Sequence, residues 1–320
     1  MSARVRTAII VAAIAAVAAG VVAAAAVWSA EETDSGATAG AAPQPREGVP
    51  PLELSFGIRD DAEAADVRRA TALYREGKRQ QARAIFAAHD SLEAKLGAAF
   101  AAWPATLDRI EQLGALYPRS ALVQLHLGLA RFWAGTAGAL TAWREARDVE
   151  PDTPYAIRAS DLLHPEFAPG LPGFTVSFEY EVPGETPAEQ LENLEADRTL
   201  RGRLLYGIAL QGLGRPVSAQ RAFSAAAELA PNDVDALVAD AVGRYDKANP
   251  AAAFSRLGPL STRFPHAATV RFHLGLLLLW QRDVKEATRQ LELARAAQPG
   301  SKIAREAERF LDAVRNAGTD

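Results

Sequence analysis

The chain contains no cysteine among its 320 residues. That absence excludes disulfides, thiolate metal ligands, a cysteine nucleophile and lipid attachment through cysteine. The sequence also has no block of Lys and Arg apart from Arg4 and Arg6, and its formal net charge is -4. A basic patch that could neutralise a nucleic-acid backbone is therefore missing, and we expect no nucleic-acid partner.

The short motifs of common catalytic sites are missing as well. The sequence contains no HExxH, GxSxG, P-loop or GxGxxG pattern. Nothing in it assembles a nucleophile, a base and an oxyanion site. We therefore expect no catalytic residue, no metal, no cofactor and a protein that is not an enzyme.

Charged side chains are absent from residues 8–28, a run of 21 in which eleven residues are Ala and eight are Ile or Val. About 20 such residues span a bilayer as a helix, and the positive charges of Arg4 and Arg6 mark the cytoplasmic side. The sequence predicts a transmembrane signal-anchor helix over residues 7–29. Residues 1–6 are then cytoplasmic, and the rest of this single-pass cell-membrane protein is extracytoplasmic.

A cleaved signal peptide is the alternative for the same run. Its apolar region would be about 7–15 residues long and would end at small residues. This run is longer, and the bulky Trp28 stands at its end. Both interpretations export the remainder of the chain.

Residues 30–58 are rich in Ala, Gly, Pro, Thr and Ser without hydrophobic periodicity. This composition predicts a flexible linker.

Beyond the linker, apolar residues and prolines recur at a fixed spacing. Three prolines are each 34 residues apart, and a small residue stands 24 positions before each of them. These positions are Pro231, Pro265 and Pro299, with Gly207, Ala241 and Gly275. Short antiparallel helices pack closely where the residues at their crossing are small, and a proline ends the second helix. The spacing therefore predicts repeated helix pairs, which stack because one pair cannot bury its own apolar face.

This spacing resembles the tetratricopeptide repeat (TPR) family. Three copies carry the small, apolar and proline positions in the same order, and the earliest copy is one residue shorter. They are Tyr206-Gly207, Ala219, Phe223, Ala226 and Pro231; Leu274-Gly275, Ala287, Leu291, Ala294 and Pro299; and Leu127-Gly128, Ala139, Trp143, Ala146 and Pro151. The resemblance implies an all-α, TPR-like α-solenoid of antiparallel helix pairs and a general role in protein binding.

The predicted solenoid comes after the transmembrane helix and the linker and contains one extended, strand-like insertion. Its predicted parts are N-terminal helical repeats over residues 59–163, a Pro/Gly-rich insertion over 164–187, C-terminal TPR repeats over 188–300 and a capping helix over 301–320, with Ser301 as its N-cap.

Within the insertion, apolar and polar residues alternate from Phe174 to Val182. This is the period of an extended segment with one buried face. The segment then lies on the helices, or presents an edge that a partner strand could join, or forms a strap that covers the groove. An envelope enzyme with a site in residues 164–196 is the alternative function, and it would need carboxylates such as Glu179, Glu181 or Glu185 to converge in a cleft.

In the TPR family the first helix of each pair lines a concave groove, and the resemblance implies groove positions here. These partner-binding candidates are Leu125, His126, Phe132, Trp133, Ile208, Tyr245, Phe272, His273, Leu276 and Trp280. Exposed aromatics at such positions would anchor an apolar helix or an extended peptide. The competing interpretation is that they pack between neighbouring helices.

Eight of these ten candidates lie in a longer duplication. Residues 117–133 and 264–280 align without gaps through aromatic-Pro, V-x-[L/F]-H-L-G-L and Trp. The repeated histidines, His126 and His273, are interpreted as structural residues with satisfied hydrogen bonds, and a pH-sensitive contact is the alternative.

The features together predict a membrane-tethered extracytoplasmic scaffold. It would mediate protein–protein interaction or complex assembly through an apolar and aromatic groove, with protein partners whose identity the sequence does not reveal. Self-association through the apolar run from Leu276 to Trp280 is a further possibility of the sequence.

Overall fold

The computed structural model describes residues 44–317 of the chain. These residues form fifteen α-helices and contain no β-strand. Contacts divide them into two compact units, an N-terminal unit that ends at Leu163 and a C-terminal unit that begins at His164. In each unit consecutive antiparallel helices pack as pairs. The described chain is therefore an all-α helical repeat of TPR-like type, which confirms this part of the predicted fold class.

The N-terminal unit has three helix pairs and a terminal helix. Its helices are α1 (Ala62–Arg75), α2 (Arg79–Phe86), α3 (Leu92–Ala101), α4 (Leu107–Leu116), α5 (Ala121–Ala134), α6 (Ala139–Val149) and α7 (Pro154–Leu163). The first helices of successive pairs contact one another in order, and α7 contacts α5. The odd-numbered helices of this unit therefore share one surface.

The C-terminal unit repeats this arrangement with one additional helix at its start. Its helices are α8 (Pro187–Ala196), α9 (Leu200–Gly212), α10 (Pro216–Leu229), α11 (Val234–Val242), α12 (Ala251–Arg263), α13 (Ala268–Trp280), α14 (Val284–Ala297) and α15 (Lys302–Ala317). Helix α8 packs on α9, and the helices α9, α11, α13 and α15 contact one another in order. The three helix pairs from α9 to α14 thus correspond to the three pairs from α1 to α6, and the terminal helix α15 corresponds to α7.

Capping side chains set the start of several helices. The predicted N-cap Ser301 accepts a hydrogen bond from the backbone N–H of Ala304 at the start of α15. At the start of α8, Thr186 and Glu189 form a reciprocal capping box. Helix α15 covers the end of the C-terminal unit and buries Phe310 on its inner face.

Glycines at the helix crossings explain how the pairs pack. A Cβ atom at Gly207 would overlap the ring of Phe223, and one at Gly128 would overlap the indole of Trp143. These are the small and large positions that the repeat pattern paired in the sequence. Each missing side chain makes room for an aromatic ring that is almost completely buried, and close packing of this kind stabilises the pair.

The described residues also bear on the predicted N-terminal segments. No helix between residues 44 and 317 is long and apolar enough to cross a membrane. The transmembrane prediction for residues 7–29 lies outside the described residues and stays a prediction.

Residues 44–58, which form the second half of the predicted flexible linker, do not behave as a free tether. This stretch contains Leu52, which is 2% exposed in the core of the N-terminal unit. The composition of the segment is typical of a linker, but its few apolar residues are spaced so that one face is buried against helices.

Substitution of the crossing glycines tests the packing. We expect Gly207→Ala to lower the free energy of unfolding by about 1–3 kcal/mol, because the added methyl group overpacks the contact with Phe223. Gly258→Ala is the matched control, since nothing lies within 4 Å of a Cβ at this position in α12. Alanine there should be neutral or stabilising by up to about 1 kcal/mol. Urea unfolding of the two variants measures the difference, and equal destabilisation of both would contradict the packing account.

Candidate functional site

Two extended segments lie on the helices of their own units in the same way. We name residues 44–57 the first strap and residues 166–182 the second strap. The first strap precedes α1, and the second strap precedes α8. Each strap contacts first helices of the pairs and the terminal helix of its unit. These surfaces are named the N-terminal groove (α1, α5 and α7) and the C-terminal groove (α9, α11, α13 and α15).

Tyrosine hydroxyls hold the first strap in the N-terminal groove. The hydroxyl of Tyr74 donates to the carbonyl oxygen of Pro50 at 2.6 Å. The hydroxyl of Tyr155 accepts from the N–H of Ser55 at 3.0 Å and donates to the carbonyl oxygen of the same residue at 3.1 Å. Between these points Leu52 is buried in the core. The groove thus satisfies the backbone of an extended chain and takes one of its side chains.

Side-chain acceptors hold the second strap in the C-terminal groove. The amide oxygen of Gln211 accepts from the N–H of Phe174 at 2.9 Å. One carboxylate oxygen of Asp235 accepts from the N–H of Ser177 at 3.0 Å and from its hydroxyl at 2.6 Å. Burial raises the pKa of Asp235, and these two hydrogen bonds oppose the rise. A buried carboxyl is thereby used to fix the backbone of the strap.

A buried histidine accepts a backbone hydrogen bond from the strap in each groove. The Nε2 atom of His126 accepts from the N–H of Glu53 at 3.1 Å, and the Nε2 atom of His273 accepts from the N–H of Thr175 at 3.0 Å. In both rings Nδ1 lies 2.7 Å from the carbonyl oxygen four residues earlier in the helix. A carbonyl only accepts and an amide N–H only donates, so Nδ1 carries the hydrogen and each ring is neutral.

Both straps make a second backbone hydrogen bond to the helix that carries the histidine. Its donor stands in the strap seven residues before the residue that contacts the histidine. The N–H of Arg46 donates to the carbonyl oxygen of Trp133 at 2.8 Å, and the N–H of Ala168 donates to that of Trp280 at 2.9 Å. Trp133 and Trp280 each stand seven residues after the histidine in their helix. Each strap therefore runs antiparallel to the helix that carries its histidine, in the same register.

The side chain just before the histidine contact fills the deepest part of each groove. Leu52 is 2% exposed and Phe174 is 0% exposed. The ring of Phe174 stacks on His273 with centroids 5.1 Å apart and meets the edge of Phe223 at 5.4 Å. Complete burial of such a side chain contributes about 1.5–3 kcal/mol, so this position is a main apolar anchor of the strap.

Beyond its anchor the second strap meets cationic side chains. The ammonium of Lys302 donates to the carbonyl oxygen of Phe178 at 3.2 Å and lies 4.4 Å from the ring centre of Tyr180. Arg305 forms an ion pair with Glu179. In the N-terminal groove, the guanidinium of Arg158 pairs with a strap carboxylate, that of Glu53, at 2.8 Å. The grooves thus complement acidic side chains as well as apolar ones.

The structure places the predicted groove residues under the straps or within the helix packing. Eight of the ten are buried: Leu125, His126, Ile208, Tyr245, Phe272, His273, Leu276 and Trp280. The other two, Phe132 and Trp133, are half-buried, and the guanidinium of Arg46 lies 4.0 Å from the ring centre of Phe132. The eight are covered by a strap or by neighbouring helices, as the competing interpretation has it, and their role in binding a partner stays a prediction.

Two other sequence interpretations are resolved by the same contacts. The two histidines are structural residues with both ring nitrogens hydrogen-bonded, as interpreted from the duplication. Four of the five residues in the apolar run from Leu276 to Trp280 are buried, so the run is not an exposed patch for self-association. The sequence left three alternatives for the insertion. The structure shows it as a strap that lies on the helices and covers a groove.

The alternative enzyme required carboxylates of the insertion to converge in a cleft. Glu179 is paired with Arg305 and its side chain is 74% exposed, and Glu181 and Glu185 are also exposed. Within residues 44–317 no group of acidic, His or Cys residues could hold a metal ion. These carboxylates therefore form no buried cleft.

Sequence reasoning missed the first strap and the polar residues that hold the straps. Tyr155 and Asp235 carried no motif, because a single hydroxyl or carboxyl on a helix is indistinguishable from a solvated side chain. One signal was present: Gly48 to Phe56 reads GVPPLELSF and Gly170 to Phe178 reads GLPGFTVSF. These stretches are 122 positions apart and align without gaps.

Similarity to known proteins is confined to solved structures at low sequence identity. No family model matches the sequence, and no curated protein matches it. Similar solved structures include YrrB, described as a TPR protein with an unusual peptide-binding site, at 15% identity over 63% of this chain and 99% of that chain, with a TM-score of 0.31. A TPR protein from Parabacteroides merdae matches at 13% identity over 79% and 99% of the chains, with a TM-score of 0.33.

Yeast Tom70 is similar at 14% identity over 83% of this chain and 52% of that chain, with a TM-score of 0.35. These identities and scores are too low to support an inference about function. The assignment of the fold rests on the helix pairs and their 34-residue spacing.

Acidic pH should weaken the binding of both straps, because each strap is hydrogen-bonded to a buried neutral histidine. Burial lowers the pKa of His126 and of His273 to about 4, from an ordinary value of 6.5. Between those values the unfolded chain binds more protons than the folded chain, so stability falls as pH decreases from about 6.5 towards 4. For each histidine we expect a loss of about 2 kcal/mol between pH 7 and pH 5. Urea unfolding across this range measures it.

Two variants assign that pH dependence to the histidine. His273→Gln should be less stable than the wild type at pH 7 and should show a shallower decline towards pH 5, because the variant side chain does not titrate. His266→Gln, at an exposed position, should keep the wild-type slope. A His273→Gln chain with an unchanged slope would contradict a titrating contact at the strap.

Proposed function

We propose that the chain is a membrane-tethered, extracytoplasmic scaffold that binds other proteins through its grooves and has no enzymatic activity. The observation that supports it is the paired groove geometry. Two grooves in one chain hold an extended polypeptide in one register, through a histidine nitrogen, a tryptophan carbonyl oxygen and one deep apolar position.

The groove chemistry suits a polypeptide better than a small molecule. Acceptors for three backbone N–H groups of the strap, those of Phe174, Thr175 and Ser177, stand on separate helices, at Gln211, His273 and Asp235. Helices that pack against one another hold such groups in fixed positions, so little ordering is needed when a chain binds. Main-chain hydrogen bonds of this kind give affinity, and the apolar position gives selectivity.

The tether is the second part of the proposal. A transmembrane helix over residues 7–29 would leave the units outside the cytoplasm, attached through the residues before the first strap. The first strap would then connect the membrane segment to the N-terminal unit. Proteins of the same envelope would be the partners within reach.

Fractionation and protease access test the tether. We expect the full chain to stay in the membrane pellet after alkaline extraction, with a C-terminal tag that externally added protease removes from spheroplasts. A chain that lacks residues 7–29 should be soluble inside the cell. A full-length wild-type chain recovered in the soluble fraction, or a tag protected from protease, would contradict the proposed topology.

Site-specific photo-crosslinking in cells tests the scaffold. A photoreactive amino acid at Arg201 reports on the C-terminal groove, because this side chain lies 4.3 Å from the ring of Phe178. The same amino acid at Leu229, which is 55% exposed at the end of a second helix, is the control. We expect defined crosslinked proteins from the groove position and several-fold less of them from the control. Identical patterns from both positions, or none from either, would count against binding through the groove.

A further inference from the structure

The two straps share a sequence pattern that the grooves explain position by position. Gly48 and Gly170 have left-handed φ angles of 81° and 74°, a conformation that favours glycine. Two positions later Pro50 and Pro172 are both buried. The pattern is Gly-[Val/Leu]-Pro-x-[Leu/Phe]-x-[Leu/Val]-Ser-Phe, and its fifth position is the apolar anchor of each strap.

The backbone contacts fix where this pattern sits. The N–H group one position after the anchor reaches the histidine, and the N–H group of the Ser reaches an acceptor near the start of another helix, Tyr155 or Asp235. Two grooves with different lining residues thus accept the same pattern in the same register. Each groove therefore selects by sequence as well as by shape.

Charges extend the recognition in the C-terminal groove. Arg201 and Lys302 donate to the carbonyl oxygens of Glu179 and Phe178, and Arg305 pairs with the Glu179 carboxylate. An acidic residue directly after the final Phe of the pattern is thus matched by cations from α9 and α15. A ligand of this groove would be an extended segment with that pattern and an acidic end.

The second strap satisfies only one of the two carboxylate oxygens of Asp235. The other oxygen is buried without a hydrogen-bond partner within the described chain. A buried polar atom without a partner is unfavourable. A segment of the same pattern that supplies a donor here would bind more tightly than the resident strap.

We propose that the C-terminal groove binds, in place of the second strap, an extended segment of a partner protein that carries this pattern and an acidic end, so that the strap is an intramolecular competitor. The inference rests on the proposed scaffold function and specifies its ligand. Because the strap is covalently attached, its effective concentration is on the order of millimolar. A free segment therefore binds the closed groove weakly, and a segment with better contacts or a higher local concentration displaces the strap.

A labelled peptide with residues 166–180, EFAPGLPGFTVSFEY, tests this by fluorescence anisotropy on the full chain in detergent. In the protein, Phe174→Ala removes the anchor of the resident strap and should open the groove. We expect it to bind the peptide at least tenfold more tightly than the wild type. Glu185→Ala, an exposed change next to α8, should bind as the wild type does.

Two peptides test the register. N-methylation at the Thr175 position removes the hydrogen that His273 accepts and should abolish the gain in affinity. N-methylation at the Val176 position is the matched control, because the N–H of Val176 makes no hydrogen bond within residues 44–317, and it should keep most of the affinity. Equal binding of both methylated peptides to the opened variant would overturn the proposal.

A second, less disruptive variant is used if circular dichroism shows that Phe174→Ala loses helicity. Ser177→Ala removes only the hydroxyl hydrogen bond to Asp235 and should raise the affinity several-fold. A folded opened variant that binds no better than the wild type would overturn the inference.

The crosslinking and peptide experiments together separate this inference from the scaffold proposal. If the photoreactive residue at position 201 crosslinks defined partners that excess peptide does not displace, the proposed ligand is wrong although the scaffold proposal stands. If the peptide binds but no partner is crosslinked, the groove specificity holds and the scaffold role fails.

Discussion

The hydrogen bond from a strap N–H to a buried neutral imidazole is the contact on which each groove depends. The ring is completely buried at His126 and at His273, so a polar nitrogen facing the groove needs a partner. The carbonyl oxygen of the preceding turn fixes the hydrogen on Nδ1 and leaves Nε2 as an acceptor. Only a donor that approaches from the groove satisfies it, and an extended backbone supplies one with its N–H already aimed. The histidine thereby sets the register of the strap, and the register sets which side chain becomes the anchor.

The sequence predicted the repeated helix pairs because their causes are local and periodic. Glycine at the crossing and an aromatic ring opposite it, as at Gly207 and Phe223, recur at fixed spacing and leave a visible pattern. The insertion was predicted to be extended by its alternating residues, and Phe174 and Val176 are indeed buried. The position of the insertion in the groove depends on hydrogen-bond acceptors from several helices that are far apart in the chain. No residue spacing in the sequence predicts that these acceptors come together.

The first strap was mistaken for linker for a related reason. Composition measures the average character of a segment, whereas burial depends on a few positions. Between residues 44 and 57 only Pro50 and Leu52 are buried, and backbone hydrogen bonds supply much of the remaining contact. Backbone groups are the same in every sequence, so a segment held mainly through them looks polar and flexible when only side chains are read. Comparison of GVPPLELSF with GLPGFTVSF is the one route by which the sequence alone reveals the strap.

A filled groove also resolves a conflict in the predicted scaffold. An open groove lined with residues such as Phe272, Leu276 and Trp280 would expose a contiguous apolar surface, which soluble parts of proteins rarely leave uncovered. The straps cover that surface in each unit and also satisfy the ring nitrogens of the two buried histidines. A partner segment that entered either groove would therefore exchange with the strap, and the free energy gained would be the difference between two segments rather than the full value of one. Selectivity would then arise from small differences, such as an added hydrogen bond to the unpartnered carboxylate oxygen of Asp235. Contacts common to both segments cancel, and the acidic residue opposite Arg305 is one of them because the strap already supplies Glu179.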